Sequence, residues 1–250
     1  MKSRILRAFI IFLLSFLSLV TKGQNLTGEI EFRYRINYAE IYASAEYITE
    51  QERDRIMLSW GNEEGYSTRM KLQFSPEKTV YTYGEPYELN AWSSFKDNYF
   101  IIKNFAESTS MLYLESLGKT YLIEDELKVP KWRIMNELRE IVGHMCMKAV
   151  TQDTLKGQEI VAWFAADIPV PGGPENLNGL PGMILGYEVN GTQLLVEAER
   201  IVLGEPEDPI KLPKKMKGKK VNWQEYNESV AEFIDLSVKA KRPWYWSLRF

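Results

Sequence analysis

The sequence predicts a mainly β protein of the α+β class, with a large curved antiparallel sheet, a half-barrel being one form of it, and a helix near the carboxyl end. Three observations carry this. Short runs rich in alternating, β-branched or aromatic residues recur along most of the chain, separated by Gly, Asn, Asp and Pro. Asn190-Gly191 stands between two such runs, and both residues accept the positive φ of a tight hairpin. From Asn222 onward the apolar residues change to a helical period.

The elements follow in order. Gly28 to Asn37 places Ile30, Phe32, Tyr34 and Ile36 on one face and Glu29, Glu31, Arg33 and Arg35 on the other, a half-buried strand. Glu50 to Asp54 is charged and suits the start of a short helix or a loop. Strands are expected at Arg69–Phe74, Lys78–Tyr83, Tyr99–Lys103, Met111–Glu115 and Thr120–Ile123, and again at Lys131–Met135, Ile141–Val150, Glu159–Ala165, Met183–Val189 and Gln193–Val202. Gly204 to Lys220, with Pro206, Pro209, Pro213 and a dense set of lysines, reads as a surface loop. Asn222 to Lys239 reads as a helix with Trp223, Tyr226, Val230, Phe233 and Ile234 on one face, opened by a capping box of Asn222 and Glu225. Pro243 stops it, and the aromatic tail from Trp244 to Phe250 is expected to pack back onto the domain.

Lys2, Arg4 and Arg7 precede an apolar run from Ala8 to Val20 that is short for a membrane span and ends in small residues. This predicts a signal peptide over residues 1–23, cleaved after Gly23, and a single β-rich domain over 24–250, periplasmic or secreted, with no transmembrane segment. Cys146 is the single cysteine, so no intramolecular disulfide or cysteine-only metal site is expected. A formal net charge of -3 argues against a nucleic-acid partner. Aromatics reach 13% with seven tryptophans, enough to fill a sheet core and to line a groove for an apolar or peptide-like ligand.

The stretch from Gly173-Pro174 through Asn178-Gly179-Leu180-Pro181-Gly182-Met183-Ile184 joins residues that fix φ to residues that free it, and it leads straight into a strand. It specifies a rigid bend, and Pro181-Gly182 suits a type II turn. This stretch resembles the signature hexapeptide of the GLPGLI family, with Met183 in place of a leucine. The likeness continues upstream through Lys131-Trp132, Gly143, Cys146, Lys148-Ala149, Ala162-Trp163, Ile168-Pro169 and Gly173-Pro174, covering about a third of the chain. Gly186 stands where an acidic residue is usual and His144 where an aromatic is common. The resemblance implies a secreted or periplasmic protein of Bacteroidota, often encoded near TonB-dependent outer-membrane receptors, with no established activity. A looser likeness to the half-barrel of lipoprotein carriers is a fold-level analogy.

Candidate chemistry is sparse. His144, Met145, Cys146 and Met147 have soft-metal character, but alternation sends His144 and Cys146 to one face and the methionines to the other, as an ordinary core strand would. Cys146 beside His144 also has the makings of a nucleophile pair, without a visible orienting group. Asp167 and Glu188 are acids flanking the Gly/Pro stretch, where turn capping is the simpler role. Trp163 reads as a core tryptophan, with ligand stacking as the functional alternative. The lysines at 214, 215, 217, 219 and 220 suit a solvated loop, and Asp153-Thr154-Leu155 fits a short O-glycosylation pattern.

The reading is therefore a non-enzymatic envelope protein, with no cofactor, that binds an outer-membrane receptor or other envelope protein, or an apolar or peptide ligand. Its binding loop would run from Ile168 to Gly182 and include Pro169, Gly173, Pro174, Gly179, Leu180, Pro181, Met183 and Ile184, beside Trp163. The rival is a metal-binding protein or hydrolase centred on His144 and Cys146.

Overall fold

Alternation of buried and exposed side chains lays down the strands, and their hairpins join them into one sheet. The computed structural model describes residues 26–60, 65–84, 99–242 and 244. The expected signal peptide, Pro243 and tail residues 245–250 lie outside the described residues. The strands are β1 (Gly28–Ile36), β2 (Tyr66–Phe74), β3 (Lys78–Tyr83), β4 (Tyr99–Asn104), β5 (Thr109–Ser116), β6 (Lys119–Glu126), β7 (Arg133–Ile141), β8 (His144–Asp153), β9 (Gln158–Ala165), β10 (Met183–Val189), β11 (Leu194–Leu203) and β12 (Lys219–Val221). They form a 12-stranded open sheet in the order β12-β6-β5-β4-β3-β2-β1-β11-β10-β9-β8-β7.

Neighbours pair antiparallel, except that β12 joins β6 in parallel. The expected all-antiparallel sheet is thus corrected to a mixed one, and Lys219 and Lys220, placed in the loop by sequence, belong to that edge strand. The reason is the long 204–218 connection, whose path rather than a hairpin sets the direction of β12. Ile210 and Met216 from this connection pack on Phe100, Tyr113 and Leu122, while its lysines stay exposed.

One face of the sheet holds the core. Directly paired residues share a face, so Phe32 and Met70 adjoin one another, as do Tyr81, Ile101, Leu112 and Ile123 in a row across four strands. The opposite face of β1 is charged and tied by ion pairs Arg33–Glu199, Arg200–Glu31 (2.9 Å) and Lys71–Glu29 (3.2 Å).

Two further boundaries differ from expectation. The run Ile141–Val150 is interrupted, because Val142 (φ 48°) and Gly143 (φ 78°) form the turn between β7 and β8. The strand expected at Lys131–Met135 starts at Arg133 and runs on to that turn. The Asn190-Gly191 hairpin is present, with φ of 47° and 74° and Val189 paired to Leu194.

The helices follow their caps. α1 (Tyr38–Ala43) starts at Asn37, whose side chain accepts from the Glu40 amide. α2 (Glu50–Trp60) is set off by Thr49 and Glu52 in a reciprocal capping arrangement, which decides for helix over loop in that charged stretch. α3 (Trp223–Lys239) opens with the expected capping box of Asn222 and Glu225. Its Trp223 and Tyr226 pack on the core, Val230 is buried, and Trp244 beyond its end also lies against the core.

Candidate functional site

The sheet curls enough for distant strands to wall one cavity of about 1390 Å³. Tyr99, Ile101, Leu112 and Leu114 from β4 and β5 line one side, and Ile160, Tyr187 and Val189 from β9 and β10 line the other, although four strands separate β4 from β10 in the sheet order. The first turns of α3, the segment 127–131 and the tip of the β8–β9 hairpin complete the walls.

The roof is the middle of the Gly/Pro stretch, residues 175–178. This stretch joins β9 to β10 and is held by its own backbone: Gly179 N–H donates to Pro171 O, Met183 N–H to Ile168 O, and Ile184 N–H to Gly172 O, each at 2.9 Å. Ile168, Val170, Leu177 and Leu180 point into the core, whereas Pro169 and Pro181 are exposed. The proposed type II turn is corrected, because Gly182 does not take positive φ. Gly182 is required by space instead: a Cβ there would lie 2.2 Å from Ala165 O. The left-handed glycine is Gly179 (φ 85°), where a Cβ would also lie 2.2 Å from Val129 Cγ1.

Lys103 fastens this roof. It stands on β4 in register with Thr79 and Ser110, is 1% exposed, and donates to Gly173 O (2.6 Å), Glu175 O (2.8 Å) and Leu177 O (2.8 Å). Three carbonyls thus meet the three N–H bonds of one ammonium. Burial nevertheless pulls its pKa down to about 7, against the opposing pull of Glu175. The Tyr99 hydroxyl donates to Glu175 Oε2, holding a non-glycine residue at φ 50°. Trp132 Nε1–H donates to Asn178 O (2.8 Å), and Asn178 Nδ2 donates to Lys128 O (3.0 Å) and Asn176 O (2.9 Å).

Asp125 docks α3 at the far wall. Its Oδ2 accepts from Trp223 N–H (2.9 Å) and its Oδ1 from Glu126 N–H, and these backbone donors hold its carboxyl below the usual range. The Tyr226 hydroxyl, whose pKa burial raises, donates to Ser116 Oγ at 3.0 Å.

Sequence had marked other residues. Cys146 is buried, its Sγ meets the His144 carbonyl at 3.5 Å, and burial pushes its thiol up to about 11, with Asp167 adding to the rise. His144 Nδ1 pairs with Asp167 Oδ2 at 2.7 Å. Glu188 serves a different group, accepting from Trp163 Nε1–H at 3.2 Å and lying 3.7 Å from Arg139. The two acids therefore have separate structural partners. Trp163 lies on the charged face under Arg139, whose guanidinium carbon is 5.1 Å from the ring centroid, rather than in the cavity. Among the described residues, no group of three His, Cys, Asp or Glu side chains is placed to hold a metal ion. Asp153 caps its own turn through the Leu155 and Lys156 amides, leaving Thr154 exposed at the hairpin tip.

Lys103 is the residue that sequence reasoning passed over. Its signal was available: in Tyr99-Phe100-Ile101-Ile102-Lys103 the lysine falls in phase with Tyr99 and Ile101, on the buried face.

The geometry defines a curled β-sheet protein with a roofed cavity on its concave face. Residues 151–186, spanning β9, the roof and the start of β10, match a family described as a protein of unknown function (Porph_ging). Two solved structures of PNGF-II share the fold, with TM-scores of 0.52 and 0.54 at 17% and 16% identity. Each alignment covers 81% of this chain and 32% of the PNGF-II chain, so this chain spans about a third of that protein. No curated protein sequence matches. No described helix is long and apolar enough to cross a membrane.

Proposed function

We propose that residues 24–250 form a single-domain, exported cell-envelope protein of the GLPGLI family that holds an apolar or peptide-like ligand in the concave cavity, without catalysis. The cavity carries the reading. At about 1390 Å³ it exceeds the usual small-molecule site of roughly 300–1,000 Å³, and aliphatic and aromatic side chains supply most of its floor. The Gly/Pro stretch contributes as the fastened roof, which gives a physical reason for the density of glycine and proline that the family signature shares. The match over residues 151–186 overlaps that signature. Export follows from the basic and apolar start of the chain, and a receptor partner at the outer membrane follows from the family resemblance.

A buried thiol with a raised pKa beside an imidazole already paired to Asp167 is poorly set for nucleophilic chemistry, which favours binding over the His144/Cys146 rival. The test is solvent extraction and mass spectrometry of protein purified from the native periplasm. An apolar compound recovered near one per protein supports the reading. Protein that yields none and takes up no fluorescent apolar probe contradicts it.

A further inference from the structure

Two polar atoms at the cavity lack partners, and together they describe a ligand group. Gln158 at the foot of β9 is 2% exposed, and Asn178 in the roof is 1% exposed; both side chains line the cavity. Among the described residues, Gln158 Nε2 and Asn178 Oδ1 have no hydrogen-bond partner and essentially no contact with solvent. The Asn178 amide cannot be turned the other way, because its Nδ2 already donates to the Lys128 and Asn176 carbonyls. One unmet acceptor is therefore fixed in the roof. The Gln158 amide turns about a soft final torsion, so its unmet donor is the movable half of the pair. Buried polar atoms left in this state cost free energy, which calls for a reason at two places bordering one apolar cavity.

The complement to a free N–H and a free carbonyl oxygen is a group that offers both a carbonyl oxygen and an N–H. We propose that the cavity recognises a secondary amide joined to an apolar chain, its C=O accepting from Gln158 Nε2 and its N–H donating to Asn178 Oδ1. This rests on the cavity being a ligand site and adds the class of ligand. An apolar peptide and an N-acyl chain share this chemistry.

The test is displacement of 1-anilinonaphthalene-8-sulfonate from the mature chain by N-methyldodecanamide, by methyl dodecanoate, and by acetyl-leucyl-leucine N-methylamide. The ester keeps the carbonyl and lacks the N–H, so the fatty amide or the peptide should displace the dye at least tenfold more effectively than the ester. Whichever of the two wins identifies the source. Gln158→Met should weaken the winning amide about tenfold and, by removing an unmet buried donor, raise the melting temperature. Ester and amides binding alike would overturn the amide assignment and leave the cavity reading standing. A Gln158→Met protein that melts lower, or that holds the amide as well as wild type, would show Gln158 to be a structural residue and overturn it too. Failure of every compound, and of the dye, would remove the ligand site itself.

Discussion

Replacing Lys103 with methionine tests how the cavity is roofed. The side chain is 1% exposed, and its ammonium spans the cavity floor and three roof carbonyls at 2.6, 2.8 and 2.8 Å. Hydrogen bonds to a charged group contribute about 1.5–3 kcal/mol each, and carbonyls stranded in an apolar site lose at least that. Against this, methionine removes the cost of keeping a charge out of water, which is several kcal/mol. The net loss should be about 3 kcal/mol, or about 6–12 °C in melting temperature for a domain of this size.

The pH dependence gives a second, independent readout. Lys103 has a folded pKa of about 7 against 10.5 in its model state, so between those values the unfolded chain binds more protons than the folded one. Wild-type stability must therefore rise with pH across that window, by up to about 1.4 kcal/mol per unit, and the methionine variant must lack this rise. Urea unfolding of both proteins at pH 6 and pH 9 measures the difference. A variant within about 2 °C of wild type at pH 7, or a wild-type advantage that shrinks at pH 9, would refute the reasoning.

Other outcomes follow from single contacts. Gly179→Ala and Gly182→Ala should each cost about 2 kcal/mol or more by thermal melting, the first through φ 85° and the Val129 contact, the second through its overlap with Ala165 O. A Gly182→Ala protein that melts like wild type would mean that the chain at Ala165 lies elsewhere. Asn222→Ala removes the α3 capping box and should cost about 1 kcal/mol in urea unfolding. Cys146 in the native protein should react with a disulfide reagent at pH 8 far more slowly than in urea, given burial and a thiol pushed to about 11.

Much of the fold was legible because the chain alternates so regularly. Gly28–Ile36, Lys78–Tyr83 and Met183–Val189 stand where periodicity puts them, and the α3 cap is the one that Asn222 and Glu225 announce. What escaped depended on partners far away in sequence. The parallel strand at Lys219 has no local signal, since its direction comes from a crossover pairing with Tyr121. Val142 takes a left-handed turn that its own branched side chain disfavours, so a turn there reads as continuous strand. The role of the Gly/Pro stretch was visible as rigidity but not as a roof, because rigidity is local and the fastening by Lys103 spans some 70 positions. The cavity itself is a product of sheet curl, which no single strand encodes.

The central claim is that the concave cavity takes up an apolar ligand. Its most direct test is the stoichiometry of a fluorescent fatty-chain probe titrated into the mature protein and into Ile160→Trp, a half-buried position lining the cavity, with matching melting temperatures as the check on folding. One probe per wild-type chain and at least tenfold weaker uptake by Ile160→Trp is the expected result. Equal uptake by the two proteins would place the probe elsewhere and contradict the account.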